Sequence, residues 1–201
     1  MGAAVAGVNG ALCGWRGSYN WRTGPGWAAA ALDASWNLIG TTAGLGVHAL
    51  SYAKRDPGYL DDLSRRQGRH VYARGFSPRK KFAFTFGNVI SNAADVSDPD
   101  RRSLIEVHEG LHVWQQRWFG PLYPIGYGLW MLGGCISATA AWLPKRRAPW
   151  FNYAERHAYY YNPFERWAYS ADHRWPPGRL VRLTAAARSD VDVEREPAEP
   201  A

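Results

Sequence analysis

The sequence predicts an α+β fold, mainly helical, in which a small antiparallel sheet or hairpin precedes a helix carrying "HEGLH", with an apolar, membrane-associated helical segment after it. Three observations predict it. The stretches 27–50, "RRSLIEVHEGLHVWQQRWF" and "WFNYAERHAYYYNPFERWAYSADHRW" read as helical; Phe82, Phe84 and Phe86 alternate with Ala83 and Thr85, the period of a strand; and "YPIGYGLWMLGGCISATAAWL" (123–143) is long and free of charge. With 201 residues, 46% of them hydrophobic and 20% charged, the chain can bury a core, so a single domain is expected over 1–184, followed by a disordered polar tail over 185–201.

In chain order, residues 1–26 are Gly-rich, with Trp15, Trp21 and Trp27 six apart, and read as an irregular, interfacial lead-in. Residues 27–50 are apolar and helical, but Asp33 and Asn37 make a bilayer crossing marginal and leave a buried or surface-lying helix equally open. "DPG" marks a turn before a short helix in "GYLDDLSRR". "RHVYARGF" (69–76) and "KKFAFTFGNVIS" (80–91) read as two strands of a hairpin joined by "SPR". Asp98 or Asp100 can cap the next helix, with Pro99 near its start, and that helix runs through "HEGLH" to the break at "GP". After 123–143, the aromatic stretch "WFNYAERHAYYYNPFERWAYSADHRW" reads as two helical pieces.

Eleven Trp and eleven Tyr suit a membrane interface or a large aromatic core, since such rings join an apolar body to a polar edge. A net charge of +7, mostly from Arg, suits an anionic partner. Lipid head groups are favoured over nucleic acid, because the basic residues are scattered and no RNA-binding signature, zinc-finger spacing or basic helix is present. Cys13 and Cys135 lie far apart in apolar surroundings and read as buried free thiols. The Arg-over-Lys preference and abundant Ala point to a GC-rich bacterial origin.

The chemistry concentrates in "HEGLH". On a helix, His108 and His112 share a face and can present both imidazoles to one ion, while Glu109, about 100° round, reaches a water there without ligating. This stretch resembles the active-site helix of the zincin metallopeptidases, and of the gluzincins in particular. The metzincin continuation of Gly and His is absent after "HEGLHVWQQRW". The resemblance covers roughly residues 80–120 and 150–172, and its specific part is the five-residue motif.

The resemblance implies a bound Zn2+, Glu109 as catalytic base, and a third ligand from a Glu on a later helix. Two octapeptides, "NYAERHAY" (152–159) and "NPFERWAY" (162–169), offer Glu155 and Glu165. Asn followed three residues on by Glu is also a helix capping box, a purely structural arrangement. Glu165 is the expected ligand, because Pro163 suits a first helical position and Ala168 allows close helix approach, as gluzincin ligand helices do; Glu155 is the alternative. Tyr169 stands where many of those families have Asp, leaving Asp172 or Glu106 to orient a His. Tyr159, Tyr160, Tyr161, His157 and His173 are candidates to stabilise an oxyanion. His48 and His70 lack a ligand-spaced neighbour and read as structural.

A single membrane crossing by 123–143 would separate Glu165 from His108 and His112 by about 30 Å of hydrocarbon. Both flanks are rich in Lys and Arg, as cytoplasmic segments are. The segment is therefore expected to turn back at "GGC", within one leaflet or as a buried helical hairpin. The resulting expectation is a zinc metallopeptidase at the cytoplasmic face of a bacterial inner membrane, acting on an apolar peptide or protein and not on nucleic acid. The alternative is a non-catalytic zinc-binding or scaffold subunit of a membrane complex.

Overall fold

The computed structural model describes residues 1–77, 82–144, 146 and 148–192. The chain forms two compact units, Met1–Ile125 and Gly126–Ala201. It is mainly helical, with one small mixed sheet.

The first unit opens on helices α1 (Gly2–Arg16), α2 (Gly24–Ala34) and α3 (Leu38–Tyr52). The expected irregular lead-in is thus mostly a regular helix. Its Ala-rich stretch outweighs the Gly residues, and α1 stops only where Gly17 adopts a left-handed φ of 61°. Thr23 caps α2, accepting from the Gly26 N–H at 3.3 Å, with Pro25 in the first turn. Residues 27–50 are not one long helix, because Ser35 and Asn37 break them into α2 and α3. A short α4 (Asp61–Ser64) follows.

The sheet differs from the expected hairpin. Strands β1 (His70–Tyr72), β2 (Phe84–Phe86) and β3 (Val89–Ser91) lie in the order β1-β3-β2; β1 pairs parallel with β3, and β2 antiparallel. "FTFGNVIS" is itself the hairpin. With Phe86 opposite Val89 and Gly87 at φ 56°, "GN" is a two-residue turn of the kind that admits Gly first. The predicted joint "SPR" falls partly outside the described residues. Val71, Ile90, Ile105, Val113 and Leu63 form the apolar core under this sheet.

The helix after Asp98 begins as predicted: Asp98 accepts from the Asp100 N–H at 3.0 Å and Pro99 stands in the first turn. It runs as α5 (Pro99–Ser103), a π-helical stretch (Leu104–Glu109) and α6 (Gly110–Phe119). Three consecutive residues fix α6. Gln115 Oε1 meets His112 Nδ1 at 2.8 Å. Gln116 takes the Gly87 N–H at 2.7 Å and donates to Thr85 O at 3.3 Å, holding the β2–β3 turn. Arg117, fully buried, pairs with the buried Asp33 at 2.6 Å and binds Gly68 O, tying α6 to α2. A buried pair of this kind is weak evidence of net stability, but removing one partner costs about 3–5 kcal/mol, because the other charge is left unmatched.

Cys13, His48 and His70 belong to a separate buried polar cluster. Tyr59 OH lies 2.9 Å from His70 Nδ1, Cys13 Sγ 3.2 Å from His70 Nε2, and Tyr72 OH 2.8 Å from His48 Nδ1. Burial pushes the His48 imidazole down to about 4 and His70 well below the usual imidazole range, so both sit neutral.

Helix α7 (Leu122–Trp142) corrects the expectation for 123–143: it is one continuous helix that does not turn back at "GGC". Among the described residues, no helix is long and apolar enough to cross a membrane. In the second unit, Gly134 marks a close helix crossing. A Cβ there would stand 2.8 Å from both the Ala158 nitrogen and the His157 carbonyl. The facing stretch comprises α8 (Trp150–Ala154) and a second π-helical turn (Glu155–Tyr160), and Ala138, Tyr153 and Ala154 pack together. Helix α9 (Pro163–Ala171) follows, then α10 (Gly178–Asp192), whose Leu180 and Leu183 pack on Tyr160. Helix α10 extends through 185–192, the first part of the expected tail; 193–201 lie outside the described residues.

Candidate metal centre

His108 ends the π-helical stretch together with Glu109, and His112 follows one turn later in α6. All three side chains are buried. A π-helical turn inserts an extra residue into a helix and recurs at functional sites because it re-aims the side chains around it. Gly110 inside "HEGLH" has a steric reason. A Cβ there would run into the Arg69 guanidinium, which donates to Glu106 O at 2.9 Å and Leu63 O at 3.1 Å.

The two imidazoles are roughly perpendicular, at 85°, and their Nε2 atoms stand 3.2 Å apart. Two nitrogens bound at about 2.0–2.1 Å in tetrahedral geometry are separated by about 3.3 Å, so the pair matches the span of a shared ion. Gln115 Oε1 accepts from the Nδ1–H of His112, which places the proton on Nδ1 and turns the Nε2 lone pair toward His108. Tyr123 OH approaches the same Nδ1 at 3.5 Å.

Glu109 is held by the sheet. Its Oε2 accepts from Thr85 Oγ1 at 2.6 Å, a hydrogen bond that orients the carboxylate and leaves Oε1 for other chemistry. Thr85 lies on the opposite side of β2 from Phe84 and Phe86. Phe86 is half exposed, so the polar side of this edge strand, not its phenylalanine side, meets the motif helix.

Glu165 lies in the first turn of α9, capped by Asn162, which accepts from the Phe164 N–H at 3.0 Å. A capping box would have the Glu165 carboxylate bond back to the Asn162 N–H. That N–H instead donates to Tyr159 O at 3.0 Å, and Glu165 Oε1 accepts from Tyr127 OH at 2.9 Å. Burial, with the nearby Glu165 charge, pushes the Tyr159 phenol well above its usual range, so it stays a hydrogen-bond donor.

His108, His112 and Glu165 together form a buried group in which one ligand atom from each residue lies within 4.8 Å of the others, and this group can hold a metal ion. Two imidazoles and a carboxylate suit zinc and also other first-row divalent ions.

The remaining candidates are engaged elsewhere. Glu155 accepts from Arg179 at 3.1 Å. Glu106 pairs with Arg102 at 2.9 Å and Asp172 with Arg174 at 3.0 Å, while Gln115 is the residue that meets His112 Nδ1. His157 donates from Nδ1 to Ser137 Oγ at 2.9 Å and accepts from Arg156 at 3.0 Å; Tyr160 is buried with Leu180 and Leu183, while Tyr161 and His173 are exposed.

Sequence reasoning missed Thr85, Gln115 and Tyr127. Gln115 was legible, since three residues past His112 puts it on the same helical face. Thr85 carried a weaker signal, as the residue between two phenylalanines. Tyr127 carried none, standing 38 positions from Glu165. No family model, curated protein or solved structure matches the chain.

Proposed function

We propose that the chain is a zinc-dependent metallopeptidase of gluzincin type, with His108, His112 and Glu165 as metal ligands and Glu109 as the catalytic base. The observation that carries this reading is the placement of Glu109, held by Thr85 through one oxygen, directly beside a buried His-His-Glu group. A purely structural metal site has no need of a base next to its ion.

Zinc, when bound, supplies Lewis acidity that polarises a peptide carbonyl and makes water more acidic. The residues do the rest. Glu109 Oε1 takes a proton from the attacking water and returns it to the leaving amine. Gln115 keeps His112 in the ligating tautomer, and Tyr127 fixes the Glu165 carboxylate. Tyr159, kept protonated by burial and by the nearby Glu165 charge, remains a candidate donor to an oxyanion.

Membrane association belongs to the same proposal. It is supported by the exposed indoles of Trp15, Trp21, Trp27, Trp36 and Trp118 and by the +7 net charge, which suits an anionic cytoplasmic leaflet. An apolar, lipid-proximal peptide is the matching substrate class. Glu109→Gln is the discriminating variant. It should keep its bound zinc and lose hydrolysis of a fluorogenic peptide mixture by about 10²–10⁴-fold. Full zinc content and unimpaired cellular function without hydrolysis would instead favour the non-catalytic zinc-binding subunit.

A further inference from the structure

Helix α7 carries an outward stripe that nothing among the described residues covers. Leu122, Ile125, Leu129, Leu132 and Ile136, with Leu143 just past the helix end, are each between 48% and 65% exposed. Their spacing of three, four, three, four and seven is that of the a and d positions of a heptad, with Thr139 at the one remaining d. This regular spacing is the one that two helices use along the seam of a coil.

The residues beside the stripe point the same way. Gly128 and Gly133 sit mid-helix, where Gly costs about 1 kcal/mol relative to Ala. A Cβ at either would meet nothing within 4 Å, so packing inside the chain does not require them. Small residues beside a seam let a second backbone approach closely. A groove of about 610 Å³ whose lining includes Leu129, Trp130, Gly133, Ser137, His157 and Tyr161 adjoins the stripe and shares Leu129 with it, offering holes for incoming side chains.

We infer that α7 is a dimerisation helix whose exposed Leu and Ile stripe packs on the same stripe of a second copy of this chain. Each large aliphatic side chain offers roughly 100 Å² for burial on the transfer scale, so six give about 600 Å² per partner, the lower end of a specific interface. Residues 122–142 include no charged side chain, so no like charges meet at the seam despite the net charge of +7. The same lack of charge disfavours a lipid surface as the occupant, because helices that lie in a membrane interface carry Lys and Arg on their polar face.

The test is sedimentation equilibrium of the full chain over a wide concentration range, with Leu132→Glu/Ile136→Glu as the variant. Both positions are exposed, so the variant should match the wild type in circular dichroism and thermal midpoint. The wild type should approach twice the single-chain mass as concentration rises, and the variant should stay at the single-chain mass. A wild type that is monomeric throughout, or a dimer that survives the double substitution, overturns the proposal. So does a monomer that floats with phosphatidylglycerol vesicles through these two residues, which would make the stripe a lipid-binding face.

Discussion

Residues 152–159 and 162–169 share the pattern N-x-x-E-R-x-A-Y and meet different fates. In the second copy, Pro163 sets the helix start, Asn162 becomes the cap, and Glu165 is buried against Tyr127. In the first, α8 starts at Trp150, so Asn152 falls inside the helix and its side chain accepts from Arg179 at 3.5 Å. Glu155 then opens a π-helical turn and pairs with the same Arg179. The difference teaches that where a helix begins, more than the motif it contains, decides which way a Glu points. A proline one residue after the Asn separates a candidate ligand from a partly exposed ion pair.

The largest effect that breaks this comparison is expected at the first copy's helix crossing. Gly134→Val should destabilise the protein by about 1–3 kcal/mol in denaturant unfolding, because the added side chain overlaps backbone at His157 and Ala158. Gly46→Ala in α3, where the Cβ enters open space, should be neutral or stabilising. Equal losses at both positions would mean that the close crossing is not what fixes the first copy.

Next in size is Tyr127→Phe, which removes the hydrogen bond to Glu165 and should weaken zinc affinity about 10–100-fold in a chelator competition. Arg179→Ala, which removes the corresponding partner of Glu155, should leave zinc affinity unchanged. Asn162→Ala should cost about 1 kcal/mol of stability, as the loss of a cap does, against a few tenths for Asn152→Ala. The smallest effect is that of Arg179→Ala on stability, about 0.2–1 kcal/mol, since that pair is partly exposed.

These contrasts also mark how far the sequence could be read. The Asp98 cap, Pro99 and the motif helix were legible because caps and periodicity are local. The pairing of His108 and His112 on one face follows from helix geometry alone. The sheet departs from the expected hairpin because Gly-Asn is a turn and not the interior of a strand, and Gly-Asn between two apolar runs is itself a hairpin signal. Residues 123–143 differ for the opposite reason. "GGC" has the local look of a breaker, whereas Gly134 is small to let Ala158 approach, a tertiary requirement with no local trace. Thr85 and Tyr127 reach their carboxylates across 24 and 38 residues, and spacing along the chain does not report such contacts.

The central claim is that Glu165, and not its repeat counterpart Glu155, completes a metal site with His108 and His112. Metal content per chain, measured on purified wild type, Glu165→Gln and Glu155→Gln, tests it most directly. The expected result is close to one zinc per chain in the wild type and in Glu155→Gln, and strongly reduced zinc in Glu165→Gln. A metal-free wild type, or zinc lost only in Glu155→Gln, would contradict the assignment.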